Sequence, residues 1–192
     1  MYDRRKTIGA SDAVHIAKGD WQLLYDHKQG TEDTEYLLAA SIGKALEPFH
    51  RDYYTQQTGI QPHHDHKWAD NPFVLNHLTH APSTTTKHIK FKWCTYTPDG
   101  LIETVNGSKT PSIPWEGKAI NMMWKPQNLI AKYNPQLQHA MRVMHADYSI
   151  LSVLYLNTRW EEYKIDYDPP YDNKLWKWEQ AFYWHLENKI RP

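Results

Sequence analysis

Apolar residues recur along the chain at helical spacing first and at strand spacing later. Ser11 opens a short amphipathic run, SDAVHIAK, and Gly19 follows it, which predicts a helix with Ser11 as its N-cap. Over 33–57, Ile42, Leu46, Phe49 and Tyr53 recur at helical intervals and predict a second helix. Pro48 lies inside it and removes a backbone donor, so a kink or restart is expected beside Glu47. Residues 61–90, rich in His, Pro and Thr, read as loop. Alternation then takes over. In HIKFKWCTYT, Ile89, Phe91 and Trp93 share one face of a predicted strand. LIETV and the stretch leading to PWEGK flank Asn106 and Gly107, a hairpin signal. Asn134 and Pro135 are expected to open a helix, NPQLQHAMRVMHA, as cap and first-turn proline. YSILSVLYL and EEYKIDY read as strands, and 172–190 as a terminal amphipathic helix. This order predicts an α/β (α+β) domain with a central mixed sheet flanked by helices, one domain over 1–192.

Composition narrows the class. No apolar run approaches the roughly 18 residues of a membrane span. The N-terminus MYDRRKTIGAS has no apolar core of a signal peptide. Cys94 is the single cysteine, so an internal disulfide and a cysteine-based zinc site are excluded. The chain therefore reads as soluble and cytoplasmic. With 22 basic against 22 acidic residues, net charge does not favour nucleic-acid binding, yet a local basic groove can coexist with an acidic cluster. No phosphate-binding Gly-x-x-x-x-Gly-Lys loop is present, so no ATP requirement is expected.

The candidate chemistry lies in PDGLIETVNGSKTPSIPWEGK. Acid-x-Lys also occurs at Asp26, Asp65, Glu162, Asp172 and Glu187, so the pattern alone has no meaning. Only Glu116 follows a strand predicted to pair with the one beginning beside Asp99. Residues i and i+2 of a strand share a face, so Glu116 and Lys118 point the same way, and a tight hairpin brings Asp99 beside them. Two converging carboxylates suit a hard divalent cation such as magnesium, which polarises a phosphoryl oxygen. An adjacent lysine can orient water and offset developing charge. The other reading of these residues is a surface hairpin with a salt bridge.

Further segments line up in order. RRKTIGASD, IGKALEPFHRDYYTQQTG, TPDGLI, WEGK and YNPQLQHAMRVM together resemble the lambda-exonuclease-like (YqaJ-type) viral recombinase branch of the PD-(D/E)xK nuclease superfamily, over nearly the whole chain. The resemblance implies a restriction-endonuclease-like core. It makes Asp99 and Glu116 metal ligands, with the Gly117 carbonyl a further one. Glu47 would supply a carboxylate from the helix, Lys118 would position the water, and Gln136 would orient nucleophile or phosphate. Arg4, with Arg5 beside it, and Ser11 would hold a terminal 5′-phosphate. The implied activity is 5′→3′ digestion of one strand of linear double-stranded DNA with two Mg2+ ions, for which Mn2+ substitutes, leaving 3′ single-stranded tails. Implied partners are DNA ends, a single-strand annealing protein and further copies of the chain, as in a trimer. Phage origin would place it in the host cytoplasm. An endonuclease or single-strand-specific nuclease of the superfamily, and a non-catalytic DNA-binding module, are the alternatives. The sequence departs from the family at Gly117, where a bulky apolar residue is usual, and Pro114 and Gly117 make a poor strand by propensity.

Other residues carry two readings each. His63, His64, Asp65 and His66 form a solvated loop or a metal-binding one. Met122, Met123 and Trp124 stack on a DNA end or fill a core or subunit contact. Trp176, Trp178, Phe182 and Leu186 read as core or subunit interface.

Overall fold

An eight-residue central strand organises the molecule, and two helices close its two faces. In the computed structural model, residues 4–30, 38–63, 86–88, 90–103, 112–120, 124–155 and 159–192 are described. The strands are β1 (Ile8–Gly9), β2 (Thr86–Lys87), β3 (Cys94–Tyr96), β4 (Gly100–Ile102), β5 (Ile113–Ile120), β6 (Tyr148–Tyr155) and β7 (Arg159–Asp166). The helices are α1 (Ala10–Lys18), α2 (Trp21–Gln29), α3 (Leu38–Thr58), α4 (Pro126–Met144) and α5 (Pro169–Asn188). The main sheet has the order β4-β5-β6-β7, and a small second sheet has the order β1-β3-β2. β5 and β6 are parallel, whereas β4 and β7 are antiparallel to their neighbours. The mixed sheet flanked by helices is therefore as expected. Among the described residues no helix is long and apolar enough to cross a membrane.

The period of two divides β5 between the faces. Trp115 and Gly117 lie with Ile150 and Ser152 of β6, beneath Tyr54 and His50 of α3. Glu116 and Lys118 lie with Leu151 and Val153, toward Leu137 and Met141 of α4. β4 pairs with β5 only over Ile113–Trp115. Beyond Trp115 no described strand pairs with that edge of β5, and this is where the candidate site forms. Pro114 is harmless to the ladder, because β6 pairing begins only at Trp115. Gly117 is required, since a Cβ there would lie 2.7 Å from the Trp115 ring and 3.1 Å from His50 Nδ1.

Several local expectations are corrected. Gly9, not Ser11, is the cap of α1, and Asp12 accepts from its N–H at 2.8 Å. α4 begins at Pro126, with Asn134 and Pro135 inside it. Pro126 stands at the helix start, where no amide partner is needed. The missing N–H of Pro135 costs one bond that packing of the buried Leu137–Met141 face outweighs. α3 likewise runs through Pro48 without restarting. Strand structure in HIKFKWCTYT is confined to Cys94–Tyr96, and Ile89 lies outside the described residues. The alternation of Phe91 and Trp93 instead serves ring packing on α5: Trp93 stacks on Trp176 at 4.9 Å and on Tyr183 at 4.7 Å. Phe182 and Leu186 are core, while Trp176 and Trp178 are half-buried around it. α2 was not foreseen. It buries Leu24, Tyr25 and Lys28, and Gly30 at φ 70° ends it.

Candidate active site

Asp99 stands just before β4, opposite the open edge of β5. Its Oδ2 accepts from the Gly117 N–H at 3.2 Å, and its backbone carbonyl accepts from Arg51 of α3 at 3.0 Å. Those two contacts fix the residue from the strand side and the helix side. Lys118 Nζ lies 2.5 Å from Glu116 Oε1 and 3.8 Å from Asp99 Oδ2. Gln136 of α4 donates through Nε2 to the same Glu116 oxygen. Glu47 and His50 line the cleft together with Asp99, Gly117 and Lys118, around a cavity of about 180 Å³. Asp99, Glu116, Lys118, Gln136 and Glu47, five residues spread over 90 positions of sequence, thus converge from β5, α3, α4 and the β4 lead-in.

The electrostatics are those of crowded acids. Glu116 is 2% exposed. Burial, reinforced by Asp99 and opposed by Lys118, pushes its carboxyl up to about 8. Burial and then Asp99 raise Glu47 above the usual carboxylate range. For Lys118, desolvation is overcome by the attraction of Glu116 and Asp99, so the ammonium is held well above its ordinary value. Burial lowers His50 to about 4 and keeps it neutral. Among the described residues, buried Glu116 Oε2 has no hydrogen-bond donor and the hydroxyl of Tyr96 no partner. An orphaned carboxylate oxygen beside a second carboxylate is the donor chemistry that a hard divalent cation satisfies. The residues present therefore fit a magnesium-class ion held by Asp99 and Glu116, with Glu47 and the Gly117 carbonyl within the same cleft.

None of the expected 5′-phosphate residues is among those lining this cavity. Arg4 and Arg5 belong to a single 3-10 turn before β1, and Arg5 is exposed. Ser11, in the first turn of α1, lines a separate small cavity with Asp12, His15 and His27. Trp124 precedes α4 with Lys132 Nζ 4.8 Å from its ring centroid. His63 extends the sheet through two backbone bonds with Leu101, while His64–His66, Met122, Met123 and the Asn106-Gly107 turn lie outside the described residues.

Two features escaped the sequence. His50 and Arg51 follow Glu47 by three and four residues, so helical spacing already put them on its face. A second charged cluster joins Cys94, His139, Arg142, Asp172 and Glu179 behind α4. Cys94, His139 and Glu179 offer ligand atoms within 4.8 Å of one another. They are nevertheless engaged with each other and with Arg142. His139 Nε2 faces the Thr95 carbonyl at 2.9 Å, and Nδ1 faces Glu179 at 2.8 Å. Arg142 bonds Asp172 at 2.7 Å and also Glu179. A carbonyl accepts only, so Nε2 carries a proton and has no lone pair for a metal.

No protein-family model matches the chain, and no curated protein matches its sequence. Solved structures do match, and they belong with the mixed α/β class that the sheet and its two helical covers define. An alkaline exonuclease, LHK-Exo from Laribacter hongkongensis, superposes with a TM-score of 0.68 at 17% identity, over 97% of this chain and 91% of that one. The same values hold for LHK-Exo in complex with dAMP. SSO0001 superposes at a TM-score of 0.52 and 14% identity, over 92% of this chain and 76% of that one. The chain shares the fold of an alkaline exonuclease.

Proposed function

We propose that the cleft hydrolyses phosphodiester bonds of linear double-stranded DNA in a magnesium-dependent 5′→3′ exonuclease reaction that leaves 3′ single-stranded tails. The observation that carries this reading is Glu116. It is a buried carboxylate with one oxygen bound by Lys118 and Gln136 and the other without a donor among the described residues, beside Asp99, in the fold of an exonuclease. Asp99 and Glu116, with Glu47 and the Gly117 carbonyl, would hold Mg2+ or Mn2+, two ions in all. The metal supplies Lewis acidity toward a phosphoryl oxygen. The chain supplies the rest. Lys118 stabilises negative charge developing beside the carboxylates and orients water, and Gln136 holds Glu116 in place. No nucleotide triphosphate is used.

End selection falls to Arg4 and Ser11, with Arg5 beside them. A terminal phosphate carries more charge than an internal one, and a guanidinium grips it bidentately. A dAMP-bound neighbour of the same fold accords with a mononucleotide product. The proposal extends to ring-like homo-oligomers of three copies, to a single-strand annealing partner in phage-type recombination, and to a cytoplasmic setting.

The test is digestion of end-labelled duplex with and without magnesium, on 5′-phosphate and 5′-hydroxyl ends, with closed-circular DNA as control. Mononucleotide release from linear DNA only, in magnesium only, is expected. Nicking of the circle would mean an endonuclease, and release without metal would sink the reading. Arg4→Ala should slow phosphorylated ends about ten- to a hundredfold and spare hydroxyl ends. Equal losses on both would move end selection elsewhere.

A further inference from the structure

His50 is 2% exposed, yet it lines the cleft that Asp99 and Lys118 share. Its ring packs edge-on against Trp115, with centroids 5.1 Å apart. Its Nε2 lies 2.9 Å from Ser152 Oγ, and Trp160 Nε1 lies 2.9 Å from that same oxygen. An indole N–H donates only, so Ser152 accepts from Trp160. The serine hydroxyl has one proton to give, and Ser152 is 0% exposed. His50 Nε2 is the acceptor the structure offers it. Turning the imidazole round would leave a buried O–H unmet, at the cost of desolvating it for nothing. The chain therefore runs Trp160 Nε1–H to Ser152 Oγ–H to His50 Nε2. The proton of the neutral ring is then on Nδ1. That nitrogen faces Gly117, and a Cβ at Gly117 would come within 3.1 Å of it. The ring, though buried, borders the cleft on the side where Gly117 carries no side chain.

We propose that His50 is a neutral Nδ1–H donor for a non-bridging phosphate oxygen of the bound strand, with Ser152 and Trp160 as positioning residues that fix its tautomer. This rests on the nucleolytic reading of the cleft. His50 is thereby not a metal ligand, because a ligating nitrogen needs its lone pair. A neutral donor also leaves the charge of Asp99 and Glu116 free for the cation, which an imidazolium in the same place would offset.

Two measurements separate this from the nucleolytic reading itself. The first needs no activity: 15N chemical shifts of the histidine rings in the metal-free protein, with His50 assigned by its loss in His50→Asn. A protonated Nδ1 and an unprotonated Nε2 are expected, with Ser152→Ala shifting the proton toward Nε2. An Nε2–H ring in the native protein overturns the proposal. The second uses duplex with a stereodefined phosphorothioate at the terminal linkage. If native protein cleaves no DNA, the nucleolytic reading fails and the donor role with it, while the tautomer result stands as measured. If it cleaves, His50→Ala should slow turnover about ten- to a hundredfold without moving the magnesium midpoint. His50→Asn, whose amide nitrogen stands near the Nδ1 position, should restore most of the rate. Sulfur at one oxygen should slow native protein, unrescued by Mn2+, and leave His50→Ala unaffected. A raised magnesium midpoint, or the same thio effect in both proteins, overturns the donor role. Should His50→Ala not fold, Ser152→Ala, which deletes only a hydroxyl, still decides: a native rate overturns the positioning chain.

Discussion

Two charged clusters flank α4, and they solve the burial of charge in opposite ways. Behind the helix, Arg142 and His139 meet Asp172 and Glu179, and Tyr167 donates to Asp172 at 2.6 Å. Two cations balance two anions there, and both His139 nitrogens have an acceptor, while among the described residues Arg142 Nε has no partner. In front, among the described residues, Glu47, Asp99 and Glu116 crowd around one directly paired cation, Lys118, and no donor reaches Glu116 Oε2. A buried carboxylate oxygen without a donor costs free energy, and beside further acids it is a group that a cation can satisfy. A closed cluster, whose charges are matched, serves the fold, whereas an open one, with a surplus of buried acid, is suited to a cation.

The largest expected effect is on the open cluster. Asp99→Ala and Glu116→Ala should each lower DNA cleavage by about a thousandfold or more, as loss of several kcal/mol of metal-derived stabilisation implies. Thermal melting should stay within a few degrees of native, because each substitution also removes an acid that its neighbours disfavour. A well-folded variant with near-native magnesium-dependent cleavage would place the chemistry elsewhere.

The reverse holds behind the helix. Glu179→Ala leaves Arg142 and His139 buried without their shared anion, a loss of about 3–5 kcal/mol in denaturant unfolding. Whatever fraction stays folded should cleave DNA at the native rate. Loss of turnover with no loss of stability would mean that the second cluster reaches the chemistry. Between these extremes lies Lys118→Ala. It should cost about a hundredfold in turnover while calorimetry still shows magnesium binding, since an ammonium donates and does not ligate.

Much of the open cluster was legible, because its geometry is local. Glu116 and Lys118 share a face by strand periodicity alone, and the antiparallel β4–β5 pair brings Asp99 to their edge. Gln136 and Glu47 entered only through the resemblance, since each sits on a helix that meets β5 through tertiary packing. The closed cluster was invisible for the same reason. Cys94, His139 and Glu179 are about forty residues apart, and no spacing rule links such positions. Helical period also misread α3: its apolar stripe predicted the helix correctly, yet Ile42 and Phe49 are exposed and the buried side carries His50 and Tyr54. α2 escaped because its buried face includes a lysine. Lys28 reaches Asp12 at 2.5 Å and the Thr7 carbonyl at 2.9 Å, contacts that come from a different helix and a turn.

The smallest effect expected near neutral pH comes from the closed cluster, and its sign sharpens the contrast. Desolvation pushes His139 down, but Cys94 and Glu179 push it up further, to about 10. Nε2 faces the Thr95 carbonyl, and Nδ1 faces the Glu179 carboxylate at 2.8 Å with Arg142 Nη2 at 3.1 Å, so the carboxylate favours the imidazolium. In the unfolded chain the same ring titrates near 6.5. A folded value above the unfolded one means the folded state binds the extra proton throughout that window. The resulting stability is fully present below about pH 6.5 and is lost as pH rises toward 10. Linkage sets the slope at about 1.4 kcal/mol per pH unit within the window, or roughly 2 kcal/mol between pH 7 and 8.5. Denaturant unfolding at those two values measures it. His139→Gln can still donate to the Thr95 carbonyl but cannot titrate, so its stability should be flatter across the same interval. Parallel slopes in the two proteins would mean that His139 is neutral when folded. Glu179 would then be balanced by Arg142 alone, and the cluster would not be the closed, charge-matched unit that distinguishes it from the cleft.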